Sequence, residues 1–172
     1  MTYNHLDRFV SLQANYSLDV RDAERELVPL LHDQEVGMMV WSPLSEGLPT
    51  GKYKRGEQKE EGRLKMFPFP PFYEERAYDV LDVLTPMAVR KQVSISQLAL
   101  AWLLHQPAVS SVIIGATKIT QLQDNLKSVD VEFSKEELSE LNEVSKLPAE
   151  YPANVLEAMT KDRIADPDFL NT

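Results

Sequence analysis

Cysteine is absent from the 172 residues, which excludes disulfides, thiolate metal sites and a cysteine nucleophile. Also lacking is any apolar stretch close to the roughly 20 residues needed to span a bilayer. The opening MTYNHLDRF has none of the apolar core of a signal peptide. Basic residues are in the minority, 18 against 27 acidic ones, for a formal net charge of −9. Without a cationic excess to replace counterions, non-specific nucleic-acid binding is not expected, and an anionic ligand has to be held by local donors rather than by a global field. The chain also has no internal repeat and no low-complexity tract. These absences make the cytoplasm the expected location, with neither nucleic acid nor membrane as a partner. What is present is the balance of a globular protein, 43% hydrophobic and 26% charged, on a chain long enough for one domain with its own core.

Along the chain, residues 9–15 (FVSLQAN) alternate apolar and polar as a short strand does. A polar stretch follows, and then the apolar cluster Leu27, Val28, Leu30 and Leu31. Proline is tolerated only in a first helical turn, so Pro29 places the start of a helix nearby, running to about Asp33. Gly37 opens an all-apolar strand, MMVW, of the kind covered on both faces in a parallel sheet. Residues 52–71 read as a long functional or solvated loop. A helix is predicted from about Tyr73 to Gln92, with Ala77, Val80, Leu81 and Leu84 on one face and a bend or interruption at Pro86. Ser94-Ile95-Ser96-Gln97 is a capping-box pattern ahead of the apolar LALAWLLHQ, and Val109 to Ile114 form a third strand. Gly115-Ala116-Thr117-Lys118 then leads into the helix ITQLQDNL. A second capping box, Ser134 with Glu137, starts a helix to about Lys146. Residues 1–146 form the predicted domain and 147–172 a tail with a helix near 153–162. The rhythm is that of a parallel α/β protein.

The stretch VGMMVWSPLSEGLPTGKY, residues 36–53, ends an apolar run in a turn with Gly47, Gly51 and Lys52. It is not a P-loop: that pattern needs four residues between the glycines and a hydroxyl residue after the lysine, whereas here three residues intervene and Tyr53 follows. The dinucleotide pattern G-x-G-x-x-G is also absent. A barrel of alternating strands and helices fits better, because its ligands sit at the carboxyl ends of the strands and phosphates lie near the loops after the last two. Trp41-Ser42-Pro43-Leu44 and Gly115-Ala116-Thr117-Lys118 both follow predicted strands. The second also opens a helix, where backbone N–H groups and the dipole favour an anion, and Lys118 adds a cation there.

QANYSL, VGMMVWSPLSEGLPTGKY and SVIIGATKITQLQDNL, in this order and spacing over about residues 9–145, resemble the C-terminal half of an aldo-keto reductase of the bacterial type related to potassium-channel β subunits. The resemblance implies a partial (β/α)8 barrel of the TIM type: the last three parallel strands with the C-terminal helices. It implies an oxidoreductase that moves hydride between NADPH and an aldehyde or ketone. Gln13 matches the glutamine that hydrogen-bonds the nicotinamide carboxamide, and Trp41 the aromatic residue stacked on its ring. Ser42, Leu44, Gly47 and Lys52 match the turn along the pyrophosphate. Gly115, Thr117 and Lys118 match the surroundings of the adenosine 2′-phosphate, which implies NADP. Gln121, Asp124 and Asn125 match contacts to adenosine, and their spacing puts them on one helical face. Glu46 stands where the family has a small residue and is expected to point to solvent, since a carboxylate beside a pyrophosphate is unfavourable.

Each assignment has a plainer competitor. Gln13 reads equally as a polar residue on an open strand face, Trp41 as core, Lys118 as a solvated first-turn lysine and Asp124 as a helix-surface carboxylate. The family's catalytic tyrosine, aspartate, lysine and histidine match no position of this chain by resemblance; they belong to strands preceding Phe9. His5, His32 and His105 read as structural or solvated, so no catalytic residue is assigned. The chain is expected to be inactive alone: a fragment, a truncated product, or one half of a barrel that self-associates or pairs with an N-terminal half, since open sheet edges invite pairing. The alternative is a non-catalytic module that binds a nucleotide or a partner subunit.

Overall fold

The computed structural model describes residues 7–45, 47, 73–152, 154, 155 and 159. Three strands, β1 (Ser11–Asn15), β2 (Gly37–Trp41) and β3 (Val109–Val112), form one parallel sheet in the order β1-β2-β3. Helices placed at both ends among the described residues are α1 (Leu27–Gln34), α2 (Glu74–Lys91), α3 (Ile95–Leu104), α4 (Ile119–Leu126) and α5 (Lys135–Val144). Short 3-10 turns occupy Asp22–Glu24 and Lys127–Asp130. The expected 52–71 loop and Lys52 lie outside the described residues, as does most of the expected 153–162 helix.

The elements follow from local chemistry. Pro29 is the third residue of α1, where a missing N–H costs no intrahelical bond. Glu35, in the left-handed conformation, ends that helix. Ser94 caps α3 by accepting from Gln97 N, and Ser134 with Glu137 closes a reciprocal box at the start of α5. Of the expected bend or interruption at Pro86, the interruption does not occur, because α2 continues through it. Pro86 is exposed, so the Asp82 carbonyl that loses its donor is not stranded in an apolar interior. β2 has the expected bounds, while β1 starts two residues later and β3 ends two residues earlier than expected. Phe9 and Val10 are exposed and outside β1, although Gly37 N still donates to the Val10 carbonyl (3.1 Å). Beyond β3, Ile113 N still donates to the Val40 carbonyl (2.8 Å).

Among the described residues, an apolar cluster with the helices covers one face of the sheet. Ala14, Met38 and Val40 are buried in one apolar cluster with Val80, Leu84, Met87, Leu98, Trp102, Leu103 and Leu141, and Leu12, Val109 and Val112 pack against it. Alternation sends the intervening residues to the other side. There Ser11 and Gln13 are exposed, and Asn15, Met39 and Trp41 are half-buried. The uninterrupted apolar run of β2 is thus not buried on both faces among the described residues, which corrects the expectation drawn from it. Buried on nearly every side is instead α3, with Gln97 to Leu103 all inaccessible.

Gly37 is fixed by its neighbour strand. Met38 pairs with Val109 but Met39 pairs with Ser111, so Ser110 is an extra residue in β3. A Cβ on Gly37 would lie 2.3 Å from Ser110 Oγ and 3.1 Å from Ser110 Cβ. Gly37→Ala is therefore expected to destabilise by about 1–3 kcal/mol, the usual scale of overpacking. In a urea-denaturation cycle with Ser110→Gly the loss should shrink; strictly additive losses would contradict the steric account.

Candidate functional site

The carboxyl ends of adjacent strands bring the predicted residues to one edge. Gln13 pairs with Met39 and Asn15 with Trp41. Gln13 and Trp41 therefore share the uncovered face, on neighbouring strands and two register steps apart. Past Trp41 the chain turns through Ser42, Pro43, Leu44 and Ser45 to Gly47, and past β3 it reaches Gly115 to Lys118. The two turns follow strands hydrogen-bonded to each other, so they lie side by side at the same edge.

The first turn is conformationally costly. Ser42 (φ 51°), Ser45 (φ 40°) and Gly47 (φ 89°) all have positive φ. Gly47 accepts this freely, while each serine carries a penalty of about 1–2 kcal/mol. Two backbone bonds close the turn, Ser45 N to the Ser42 carbonyl (3.1 Å) and Gly47 N to the Leu44 carbonyl (2.7 Å). Leu44 packs its side chain against the core, so only its backbone is available to a ligand at this edge. Ser45 turns inward and donates its hydroxyl to the buried Asp19 (2.5 Å).

The second turn is open. Gly115, Ala116, Thr117 and Lys118 are all exposed, and a Cβ on Gly115 would meet nothing within 4 Å. Neither close packing nor a positive φ requires glycine there. The α4 N-terminus is capped from within: Gln121 Oε1 accepts from Thr117 N (3.2 Å), Thr117 Oγ1 (3.2 Å) and Lys118 N (3.3 Å). An anion at this helix end would compete with the Gln121 amide for the same N–H groups.

Of the three α4 residues assigned together, only Gln121 is exposed. Asn125 is buried, and half-buried Asp124 accepts from Ser94 Oγ (2.6 Å) and Gln97 Nε2 (2.6 Å) at the start of α3. The predicted capping box there is thereby halved, because the Gln97 side chain goes to Asp124 rather than back to Ser94. His105 is at the end of α3, its Nδ1 2.8 Å from the Ala101 carbonyl and its ring edge-on to Phe133 at 5.3 Å, a structural setting. His32 is exposed in the last turn of α1, and His5 is outside the described residues.

The sequence reading passed over three residues at this edge. Asn15 sits beside Trp41 on the uncovered face, and its Oδ1 is buried without a hydrogen-bond partner. The alternation from Gln13 carries that signal. Asp19 and Ser45 lie behind the first turn, and the carboxylate set within the apolar-leaning YSLDV was the readable sign. Among the described residues no group of three or more His, Cys, Asp or Glu could hold a metal, and no helix is long and apolar enough to cross a membrane.

Residues 2–146 match the family described as Aldo/keto reductase family. A probable voltage-gated potassium channel subunit beta of Arabidopsis thaliana is 36% identical over 124 residues, 69% of this chain and 38% of that protein. The NADH-specific methylglyoxal reductase of Escherichia coli K12 is 32% identical over 146 residues, covering 85% of this chain and 44% of its own length. An L-glyceraldehyde 3-phosphate reductase of Escherichia coli O157:H7 is 33% identical over 138 residues, 76% of this chain and 40% of its own. The chain thus spans less than half the length of these relatives.

The Asp124 clamp makes a prediction separate from any ligand. Asp124→Ala leaves the Ser94 and Gln97 donors without their acceptor and should destabilise by about 1–3 kcal/mol. Exposed Gln121→Ala should cost less than Asp124→Ala, as thermal unfolding of the two variants would show.

Proposed function

The chain belongs to the aldo/keto reductase family, and from that premise we propose that it is the NADP-binding part of a cytoplasmic carbonyl reductase whose three strands are a segment of a (β/α)8 barrel. The observation that carries the proposal is the placement of Gln13 and Trp41 on the uncovered face at the same edge as the two turns. A flat aromatic side chain and a primary amide at adjacent strand ends suit an aromatic ring bearing a carboxamide. When bound, the reduced dinucleotide would supply hydride to the carbon of an aldehyde or ketone.

The protein's own residues would bind and orient. Gln13 would exchange hydrogen bonds with the carboxamide, Asn15 would stand beside it, and Trp41 would pack against the ring. Ser42, Gly47 and the Leu44 backbone would follow the pyrophosphate, with Lys52 assigned to that group by resemblance. Thr117 and Lys118 would take the 2′-phosphate, with the unfilled space at Gly115 admitting it closely. Gln121 would contact adenosine once released from its cap. Asp124 and Asn125 would serve that side of the site from beneath, by holding α4 against α3. One relative is named for NADH, so the preference for NADP rests on Lys118 and its turn.

A second reading has its own support. A relative named as a probable potassium channel subunit beta, 36% identical over 124 residues, favours a nucleotide-binding module whose role is subunit association.

Fluorescence titration of NADP and NAD tests the cofactor reading. Lys118→Ala should weaken NADP by about 1.5–3 kcal/mol, the scale of a hydrogen bond to a charged group, and leave NAD nearly unchanged. Trp41→Ala should weaken both alike. Gly115→Ala should lower NADP affinity without lowering the melting temperature. Equal losses for both dinucleotides on removing Lys118 would sink the 2′-phosphate assignment.

A further expected outcome is that these 172 residues alone turn over no carbonyl substrate, because no proton donor is assigned among them and such a donor typically contributes roughly 10²–10⁴ in rate. NADPH oxidation with 4-nitrobenzaldehyde is the assay; activity abolished by a point change in this chain would refute it and favour a complete site.

A further inference from the structure

Behind the strained turn after β2 lies a carboxyl group that the proposed cofactor site does not use. Asp19 is fully buried, in the segment following β1. Its Oδ1, the Ser17 Oγ and the Ser45 Oγ form a triangle with sides of 2.9, 2.5 and 2.8 Å. All three sides are hydrogen-bond distances. Ser17 and Ser45 bring two hydroxyl protons between them, so an ionised Asp19 leaves one side as two facing lone pairs. A proton on the carboxyl supplies the third hydrogen and closes the ring. Ser17 Oγ also accepts from Val20 N (3.1 Å), which anchors the ring to the backbone.

Electrostatics point the same way. Among the described residues the charged group facing Asp19 is Arg76 of α2, and its guanidinium donates to the Asp19 backbone carbonyl (3.4 Å) rather than to the carboxylate. Asp19 Oδ2 is buried with no hydrogen-bond partner. An anionic oxygen in that position lacks a hydrogen bond of its own, which the carbonyl oxygen of a neutral acid tolerates far better. Burial pushes the Asp19 carboxyl above the ordinary aspartate range, and the bonds from Ser45, Ser17 and the Asp19 backbone, with the charge of Arg76, only partly oppose this.

We infer that Asp19 is held as the neutral acid and is the positioning residue of the Ser42–Gly47 turn, its proton completing the ring that pins Ser45 in the left-handed conformation. As a statement about ligand binding, this rests on the reading of that turn as the pyrophosphate site. The consequence for pH has a definite sign. The folded chain holds this proton more tightly than the unfolded one, so the stability it contributes is fully present below the ordinary aspartate pKa. That contribution is lost as pH rises through the raised value.

The test uses the 172-residue chain. Carbon-13 NMR of its aspartate carboxyls should show one buried acid, assigned to Asp19 by its disappearance in Asp19→Asn, still protonated well above the ordinary aspartate range. Amide shifts of Ser42, Leu44, Ser45 and Gly47 should move with the same titration. In Asp19→Asn, a neutral isostere, those amides should keep their low-pH positions and the pH slope of the urea midpoint should flatten. Asp19→Ala and Ser45→Ala should displace the turn. In a second arm NADPH affinity should fall about five- to tenfold in Ser45→Ala, the scale of one hydrogen bond, and stay within about twofold in Asp19→Asn. An Asp19 carboxyl ionised throughout in the folded wild type overturns the inference, and so does an Asn variant as damaged as the Ala variant. Wild-type chain that shows the buried acid and the pH-linked turn but binds no NADPH supports the inference and refutes the cofactor reading alone.

Discussion

The Arg21 guanidinium joins three parts of the chain at one point. It forms a two-pronged pair with Glu24 (2.7 and 3.0 Å) and donates to the Asn142 carbonyl (3.0 Å) and Ser145 Oγ (2.7 Å). It also lies 5.2 Å over the Trp102 ring. Trp102 in turn donates to Asn142 Oδ1 (3.1 Å) and packs against Tyr16, whose hydroxyl reaches Glu24 (2.5 Å). Only a planar cation with five fixed donors can serve an acid, a carbonyl, a hydroxyl and an aromatic face together. Because this junction ties the segment after β1 to α3 and to the end of α5, those helices close over one face of the sheet. Lys91 of α2, paired with Glu137 of α5 at 2.8 Å, extends the same closure.

The other side of the sheet faces away from the apolar cluster. Gln13, Asn15, Met39 and Trp41 lie on that side, Gln13 exposed and the others half-buried, near the strand ends where parallel sheets place their ligands. That arrangement has a natural counterpart in a closed barrel, where the inward face of each strand meets the other strands. The chain spans less than half the length of the relatives it matches.

The turn after β2 shows how position and strain are linked. Two serines take a conformation that glycine would adopt without cost, and one of them does so through a buried side-chain bond. The turn is therefore held from behind, through the core, rather than by its own backbone alone. A ligand at this edge would meet a prearranged loop. The turn after β3 differs: it is exposed, and the amides of Thr117 and Lys118 are occupied by the Gln121 side chain.

Much was legible in the sequence because it depends on neighbours along the chain. The three strands, the Pro29-limited start of α1, the serine caps and the motif turns follow from alternation, proline geometry and local hydrogen bonding, which act over a few residues. The order of the three motifs was enough to point to the family. What a side chain meets across the fold was not legible. The apolar MMVW run read as covered on both faces, since composition does not say how many layers lie against a strand. Pro86 read as a bend or interruption, yet on an exposed stretch of the helix it does not interrupt α2. Helical spacing put Gln121, Asp124 and Asn125 together, but the packing of α4 on α3 buries one, clamps another and leaves only Gln121 open. Sequence alone thus determined the elements, their order and the chemistry available at their ends. Tertiary structure decided which of those groups face the open edge and which are consumed inside, because burial and long-range hydrogen bonds are set by residues up to 124 positions apart.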